Sequence, residues 1–474
     1  MTDPRLPLQP AKVRCRPLPY LVAGLLILAG CRPEPPLPPS HPEQHNLPQQ
    51  TLLPPHVLLQ RMLAAYRRAT CYADQGVVRL KYRQGGARFQ DEAPMSLQAE
   101  CPNRLRLRAY RATVVCDGER LMAQVEDEET GNIDGQILVR AAPAKLCLGD
   151  LYGDAVLREA LSSGLARQPV QAELLFGEQP LATLFQPGVS LQLLPSQEFD
   201  GRACDRVQAT TAEGPFVFWI DREDALLRRL EYPVRSLIAD LAEDVADAEL
   251  AAEFVDARVD EPLAARSFRF SLPKDAKQVS FFVLPPRPLP SGLLGTRPAR
   301  FSLLDMQAVP RRSDELMGRI VVLVWFADHP ACRASLQQLS AAYRARFHKD
   351  RRVEFYAVCT EPTTRSNDDV RRILEAWGVD LPVLRDLQAC GRDVFHIPGA
   401  PTLVVLDATG VVQVFQVGAN PRMGDALSAM LDRLLAGDDL ASEILRQQQE
   451  EQRWYAQRLA AAQSPPAPAD VPPR

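Results

Sequence analysis

The 474-residue chain has no Gly-x-Gly-x-x-Gly loop, no Walker-type phosphate loop, no zinc-type cysteine pairs and no internal repeat. It therefore lacks the signatures of dinucleotide enzymes, P-loop hydrolases, zinc modules and solenoids. An excess of one charge sign is missing too. Lys and Arg number 55 against 59 Asp and Glu, a net charge of −4. No field of that size draws nucleic acid, and none is expected as a partner. A long hydrophobic run is also absent near the N-terminus, where Leu18 to Gly30 is too short for a comfortable membrane span. What remains is globular composition, 46% hydrophobic and 24% charged, with length for two ordinary domains plus appendages.

Arg5, Lys12, Arg14 and Arg16 precede that short run, as in a targeting segment. It ends in Leu28-Ala29-Gly30-Cys31, which resembles the bacterial lipobox. The resemblance implies cleavage before Cys31 and acylation of its thiol. The expected location is then the bacterial cell envelope, lipid-anchored to a membrane and facing the periplasm. An uncleaved anchor is the plainer alternative. Residues 1–31 are read as signal peptide and 32–55 as a proline-rich tether, extended at about 3 Å per residue. Cys15 would leave with the signal. The five cysteines at 71, 101, 116, 147 and 204 could form two bridges with one free thiol, in a connectivity that spacing does not give.

Residues 56–284 open on a helix, His56 to Ala69, with Val57, Leu58, Leu59, Met62, Leu63 and Tyr66 on its apolar face. Strand-like segments follow. Val78, Leu80 and Tyr82 alternate with Arg79 and Lys81, and Leu105, Leu107 and Ala109 with arginines. Asp117-Gly118 reads as a turn between Thr113–Cys116 and Arg120–Val125. Phe216–Ile220, Leu226–Tyr232, Leu250–Val259 and Phe268–Leu272 continue the series, with one helical patch at Asp154–Ala166. Period-two alternation predicts an antiparallel sheet with one buried face. The pattern resembles the LolA/LolB-like fold, a half barrel of antiparallel strands with helices. That resemblance implies a cavity for lipid acyl chains, and a plain structural sandwich is the competing reading.

Pro285 to Pro298 is rich in proline and glycine; residues 285–296 are read as a linker. From 297 to 437 strands and helices alternate, as an α/β sheet requires. Strands are predicted at Ile320–Phe326, Val353–Cys359, Thr402–Asp407 and Val411–Val417. Helices are predicted at Ala331–Phe347, Ser366–Trp377 and Leu427–Leu435, with Ser366 and Asp369 spaced as a capping box. Residues 438–474 are read as a helical extension and proline-rich tail, the helix packing on one of the two domains. The run Val321 to Arg333, together with Phe395-His396-Ile397-Pro398-Gly399-Ala400-Pro401-Thr402, resembles the TlpA-like (redoxin) branch of the thioredoxin superfamily. The resemblance implies an α/β thioredoxin-like fold, thiol–disulfide redox chemistry and a cis-proline loop at Pro401 facing the site. It also implies substrate contacts from Trp325, Phe326, Ala400 and Pro401. The partners implied are protein thiols or an extended peptide, with no cofactor.

The chain departs from that family at one decisive position. Dithiol exchange needs an attacking thiolate and a second, resolving thiol. The family's attacker opens the helix, where the dipole and free amides stabilise it. Here the motif is His329-Pro330-Ala331-Cys332, so the resolving position survives and the attacking one does not. The lead-in is also one residue shorter than usual. Three readings stay open. Cys332 retains redox work, aided by His329, with Cys359 or Cys390 as second thiol. The domain is a catalytically inactive binding module. Or His329, Cys332 and His396 hold a metal.

Overall fold

The computed structural model describes residues 53–84, 86–126, 133–234, 245–420 and 422–463. The lipobox, most of the tether and the proline-rich tail lie outside the described residues.

Helix α1 (Pro55–Arg68) starts on a proline, whose missing N–H costs nothing at that position. It buries Leu58, Leu59, Met62, Leu63 and Tyr66. Strands β1 (Cys71–Gln84), β2 (Ala87–Glu100), β3 (Arg104–Ala109), β4 (Ala112–Asp117), β5 (Arg120–Val125) and β6 (Gln136–Ala141) follow as a meander. Helices α2 (Leu148–Tyr152), α3 (Ala155–Ser162) and α4 (Val170–Phe176) come next. The chain resumes with β7 (Ser190–Phe199), β8 (Arg202–Thr211), β9 (Gly214–Asp221), β10 (Leu227–Tyr232), β11 (Val245–Phe254), β12 (Arg258–Val259) and β13 (Lys277–Val279). These form one 13-stranded sheet in the order β13-β6-β5-β4-β3-β2-β1-β11-β10-β9-β8-β7, with β12 beside β1. All pairs are antiparallel except β13 with β6. Its apolar face packs against the helices in a core that runs from Leu59 and Met62 to Leu97, Leu105, Leu107, Leu157 and Leu161.

Two predicted segments differ. The single strand expected over Leu250–Val259 breaks at residues 255–257 into β11 and β12. Phe268–Leu272 is not a strand: a short 3-10 turn ends at Phe268. Its flanking carbonyls are taken by a side chain instead of a ladder, since Arg106 donates to the oxygens of Ser267 and Arg269.

Inside the first core sits a buried carboxylate. Asp74, 2% exposed, accepts from the Tyr72 hydroxyl, Gln171 Nε2 and the Leu97 amide, each at 2.8 Å. Burial still outweighs these bonds and lifts its pKa to about 6 from an ordinary 3.8. Between those values the folded chain holds a proton that the unfolded chain has released. Stability should therefore fall as pH rises from 3.8 to about 6. Urea midpoints across that range should show this slope, and Asp74→Asn should flatten it.

The second sheet is assembled from β14 (Ser302–Asp305), β15 (Pro310–Arg312), β16 (Ile320–Phe326), β17 (Val353–Cys359), β18 (Val383–Arg385), β19 (Thr402–Leu406) and β20 (Val412–Val417). Its order is β15-β14-β18-β17-β16-β19-β20. Every residue of β16 is buried, as a central strand covered on both faces requires. Helices α5 (Pro330–Ala342), α6 (Asn367–Trp377), α7 (Cys390–Asp393) and α8 (Met423–Leu435) lie between and after its strands. The capping box at Ser366 and Asp369 forms as its spacing predicts. Side chains of β16 alternate between two cores, with Val322, Val324 and Phe326 on one face and Val321, Leu323 and Trp325 on the other.

Helix α9 (Leu440–Gln463) was expected on one domain and instead touches both sheets, through β13 and β20. Its Ala441 amide donates to Gln413 Oε1 at 3.0 Å on β20. At its far end the Ala462 carbonyl accepts from the amide and hydroxyl of Ser280, and the Tyr455 hydroxyl donates to Asp134. The polar helix is a strap whose few anchors are divided between the two sheets, Tyr455, Leu459 and Ala462 on the first and Leu440 and Ala441 on the second.

Candidate functional site

The site is built where β16 ends. The Phe326 carbonyl accepts from the Thr360 amide and hydroxyl, at 2.9 and 3.0 Å, which ties the end of β16 to the segment after β17. The Asp328 amide donates to Glu361 Oε1 at 2.9 Å, and Arg365 pairs with Asp328 at 2.7 Å. Arg385, 3% exposed at the end of β18, donates to Asn367 Oδ1 and to the carbonyls of Glu361, Pro362 and Arg365. One buried guanidinium thus holds the loop that flanks the helix start.

His329 is exposed and occupies the N-cap of α5, with Pro330 following at the first helical position. Its Nδ1 accepts from the Ala331 amide at 3.2 Å. The imidazole satisfies one of the orphan donors at a helix start, the role usually given to Ser, Thr, Asp or Asn. That acceptor nitrogen is therefore engaged within the helix start.

Cys332 lies one turn on and is fully buried, in the core with Phe326, Leu336 and Leu339. Burial pushes its thiol above the ordinary value; a backbone hydrogen bond at Ala327 opposes this and the Glu361 charge adds to it. Cys359, at the end of β17, is fully buried in the same core and its thiol is likewise raised by burial. Cys390 opens α7 in the core on the opposite face of the sheet, with Trp325 and Phe395. Burial and the Asp386 and Asp393 charges push it up to about 12. All three sulfurs are free thiols.

The aromatic pair at the end of β16 divides between the faces. Trp325 is fully buried, its Nε1 donating to Asp386 Oδ2 at 3.1 Å and its ring centroid 4.8 Å from that of Phe395. Asp386 also accepts from the Cys390 and Gly391 amides, both at 2.6 Å. Phe326 is 2% exposed and packs edge-on to Trp377. Neither ring is open to a ligand. The Ala400–Pro401 peptide bond is cis. Thr402 pairs with Trp325, so Pro401 stands beside the end of β16, and the half-buried Ala400 packs on the core that holds Cys332. The structure thus brings His329, Cys332, Cys359, Ala400 and Pro401 to one side of the sheet and sets Cys390 and Trp325 on the other. Among the described residues no group of three or more His, Cys, Asp or Glu side chains could hold a metal ion, so the His329, Cys332 and His396 centre is not formed.

A polar cavity of about 510 Å³ opens beside the helix start, lined by Glu361, Pro362, Thr364, Arg365, Asp369, Arg372 and Ile373. Sequence reasoning passed over Glu361, Arg365, Arg385 and Asp386. Their one signal is position: each lies at or just after the carboxyl end of a parallel strand, where open α/β sheets place their sites.

The comparisons reach a fraction of this chain. Solved structures similar to it include a putative thiol:disulfide interchange protein DsbE from Chlorobium tepidum, 20% identical, covering 30% of this chain and 96% of its own with a TM-score of 0.27. StoA from Bacillus subtilis is 20% identical over 28% of this chain and 96% of its own, with a TM-score of 0.24. A putative protein disulfide isomerase from Bacteroides thetaiotaomicron is 17% identical over 30% and 90%, with a TM-score of 0.27. No family model and no curated protein matches. Among the described residues no helix is long and apolar enough to cross a membrane.

Proposed function

We propose that this chain is an envelope protein, lipid-anchored at Cys31 and facing the periplasm, whose second sheet is a thioredoxin-like module with an atypical site. In this reading the site belongs to the thiol–disulfide class by kinship but holds an extended peptide beside the Ala400–Pro401 loop instead of exchanging disulfides. The observation that carries it is the fate of the two key positions. The thiol that survives, Cys332, is fully buried with a raised pKa, and the exposed position carries an imidazole. With no exposed thiol at position 329 to form a mixed disulfide, the buried Cys332 has nothing to resolve.

Insulin reduction by the full chain with dithiothreitol tests this. The expected rate is that of dithiothreitol alone. A faster rate that disappears in Cys332→Ser would favour the redox reading. One observation speaks for that second reading: Cys332 and Cys359 share a core on one face of the sheet. It requires a Cys332–Cys359 bond to form under mild oxidant. For the first sheet we propose LolA-like kinship, with the apolar face beneath α1 to α4 as the place where an acyl chain would enter.

A further inference from the structure

Asp74 joins three elements of the first core. Its Oδ2 accepts from the Tyr72 hydroxyl of β1 and from Gln171 Nε2 of α4, and its Oδ1 accepts from the Leu97 amide of β2. All three donors are neutral. Among the described residues Asp74 has no ion-pair partner; burial and those three bonds are what act on it. From α1 the facing group is Tyr66, whose ring centroid lies 5.4 Å from that of Tyr72 and whose hydroxyl accepts from the Leu227 amide. The Arg228 guanidinium of β10 is committed to Asp221 and Asp224. The other ionisable side chain of α4, Glu173, accepts from the Leu181 amide at 2.9 Å.

Gln171 is the unusual member of this cluster. It is 1% exposed, its Nε2 also lies 3.4 Å from Met95 Sδ, and its Oε1 is buried with no hydrogen-bond partner among the described residues. That orientation suits a carboxylate, which only accepts. A protonated Asp74 has a hydrogen to donate, and half a turn of the Gln171 amide sets Oε1 towards Oδ2 to receive it. One end of the amide therefore meets Asp74 in either state. This polar tie fastens α4 to the sheet beside the apolar contacts of Val170, Ala172 and Leu174.

We propose that Asp74 and Gln171 form a proton-operated latch, closed over a neutral Asp74 and loosened over an ionised one, so that α4 lifts from the sheet more readily as pH rises. The physical reason is solvation. An ionised carboxyl in an apolar core is costly, and water reaches it once α4 lifts. Burial holds the Asp74 pKa at about 6 in the closed protein, against an ordinary 3.8. Opening gains with pH across that interval and levels off above it. The proton passes to water. The latch operates whatever the apolar face beneath α4 binds, so it stands apart from the function proposed above.

Hydrogen exchange of the full chain tests this. Peptides covering residues 170–177 are compared at about pH 5 and about pH 7.5, with the intrinsic exchange rate divided out. Their protection is expected to fall about tenfold, as the two Asp74 values require, while peptides of α6 on the second sheet keep theirs. Asp74→Asn should abolish the change. Gln171→Met, close in size, removes a donor to the ionised oxygen and should move the midpoint to higher pH. Equal protection of 170–177 at both pH values in the unsubstituted chain, or a matching fall in α6, would overturn the proposal. So would a slope that survives Asp74→Asn, which would assign it to Glu173. Should Asp74→Asn fail to fold, Gln171→Met decides, and an unmoved midpoint sinks the latch.

Discussion

On the proposed reading, His329→Cys is expected to raise insulin reduction by about tenfold or more over the unsubstituted chain, since thiolate formation at a helix start governs attack. The position is exposed and already caps α5. A sulfur there inherits the Ala331 amide that Nδ1 now engages, together with the positive end of the helix. Cys332, three residues on and buried, becomes the resolving thiol. The variant should fold, because the imbalance it introduces is one capping bond, worth about 1 kcal/mol. An unchanged insulin rate from a folded variant would contradict the reading that the missing sulfur at position 329 is what keeps the site from exchanging disulfides.

Arg228→Ala is expected to cost about 3–5 kcal/mol of stability, the usual penalty for stranding a buried charge. Arg228 is 1% exposed and sits at the register shift between Leu227 and Arg229, where a bulge turns a side chain inward. Its guanidinium donates to Asp221 Oδ2 at 3.0 Å, to Asp224 and to the Ala257 carbonyl. Asp221 is 3% exposed and, among the described residues, has Arg202 as its one further cationic partner, also at 3.0 Å. Truncating Arg228 leaves that carboxylate half-paired and a buried carbonyl bare. Denaturant unfolding of Arg228→Met/Asp221→Asn separates the causes. The double variant should recover part of the loss, because the stranded charge is gone.

Much of both sheets was legible because their strands carry the signal that water imposes. Arginines alternate with leucines in β3, the Asp117-Gly118 turn divides β4 from β5, and β16 is apolar throughout. Elements that escaped lack that signal. The first half of β2, Ala87 to Glu92, is exposed on every residue, and its place in the sheet comes from pairing with β1 alone. Phe268–Leu272 alternates correctly but follows a 3-10 turn packed on β3 and β4, where Arg106 takes carbonyls that a ladder would use. At the site, the spacing of His329 and Cys332 fixed the helix start, while the face reached by a distant cysteine is set by tertiary packing. Cys390 precedes the proline loop by ten residues and still ends on the far side of the sheet. The resemblance implies substrate contacts from Trp325 and Phe326, but neighbours on a central strand point to opposite cores and both rings are buried.

Pulsed alkylation of the reduced, native full chain, with each cysteine followed by mass spectrometry, tests the central claim most directly. Burial predicts that the exposed Cys101 and Cys147 label rapidly at neutral pH while Cys332, Cys359 and Cys390 label only as fast as the chain opens. Rapid labelling of Cys332 in the folded protein would contradict the account.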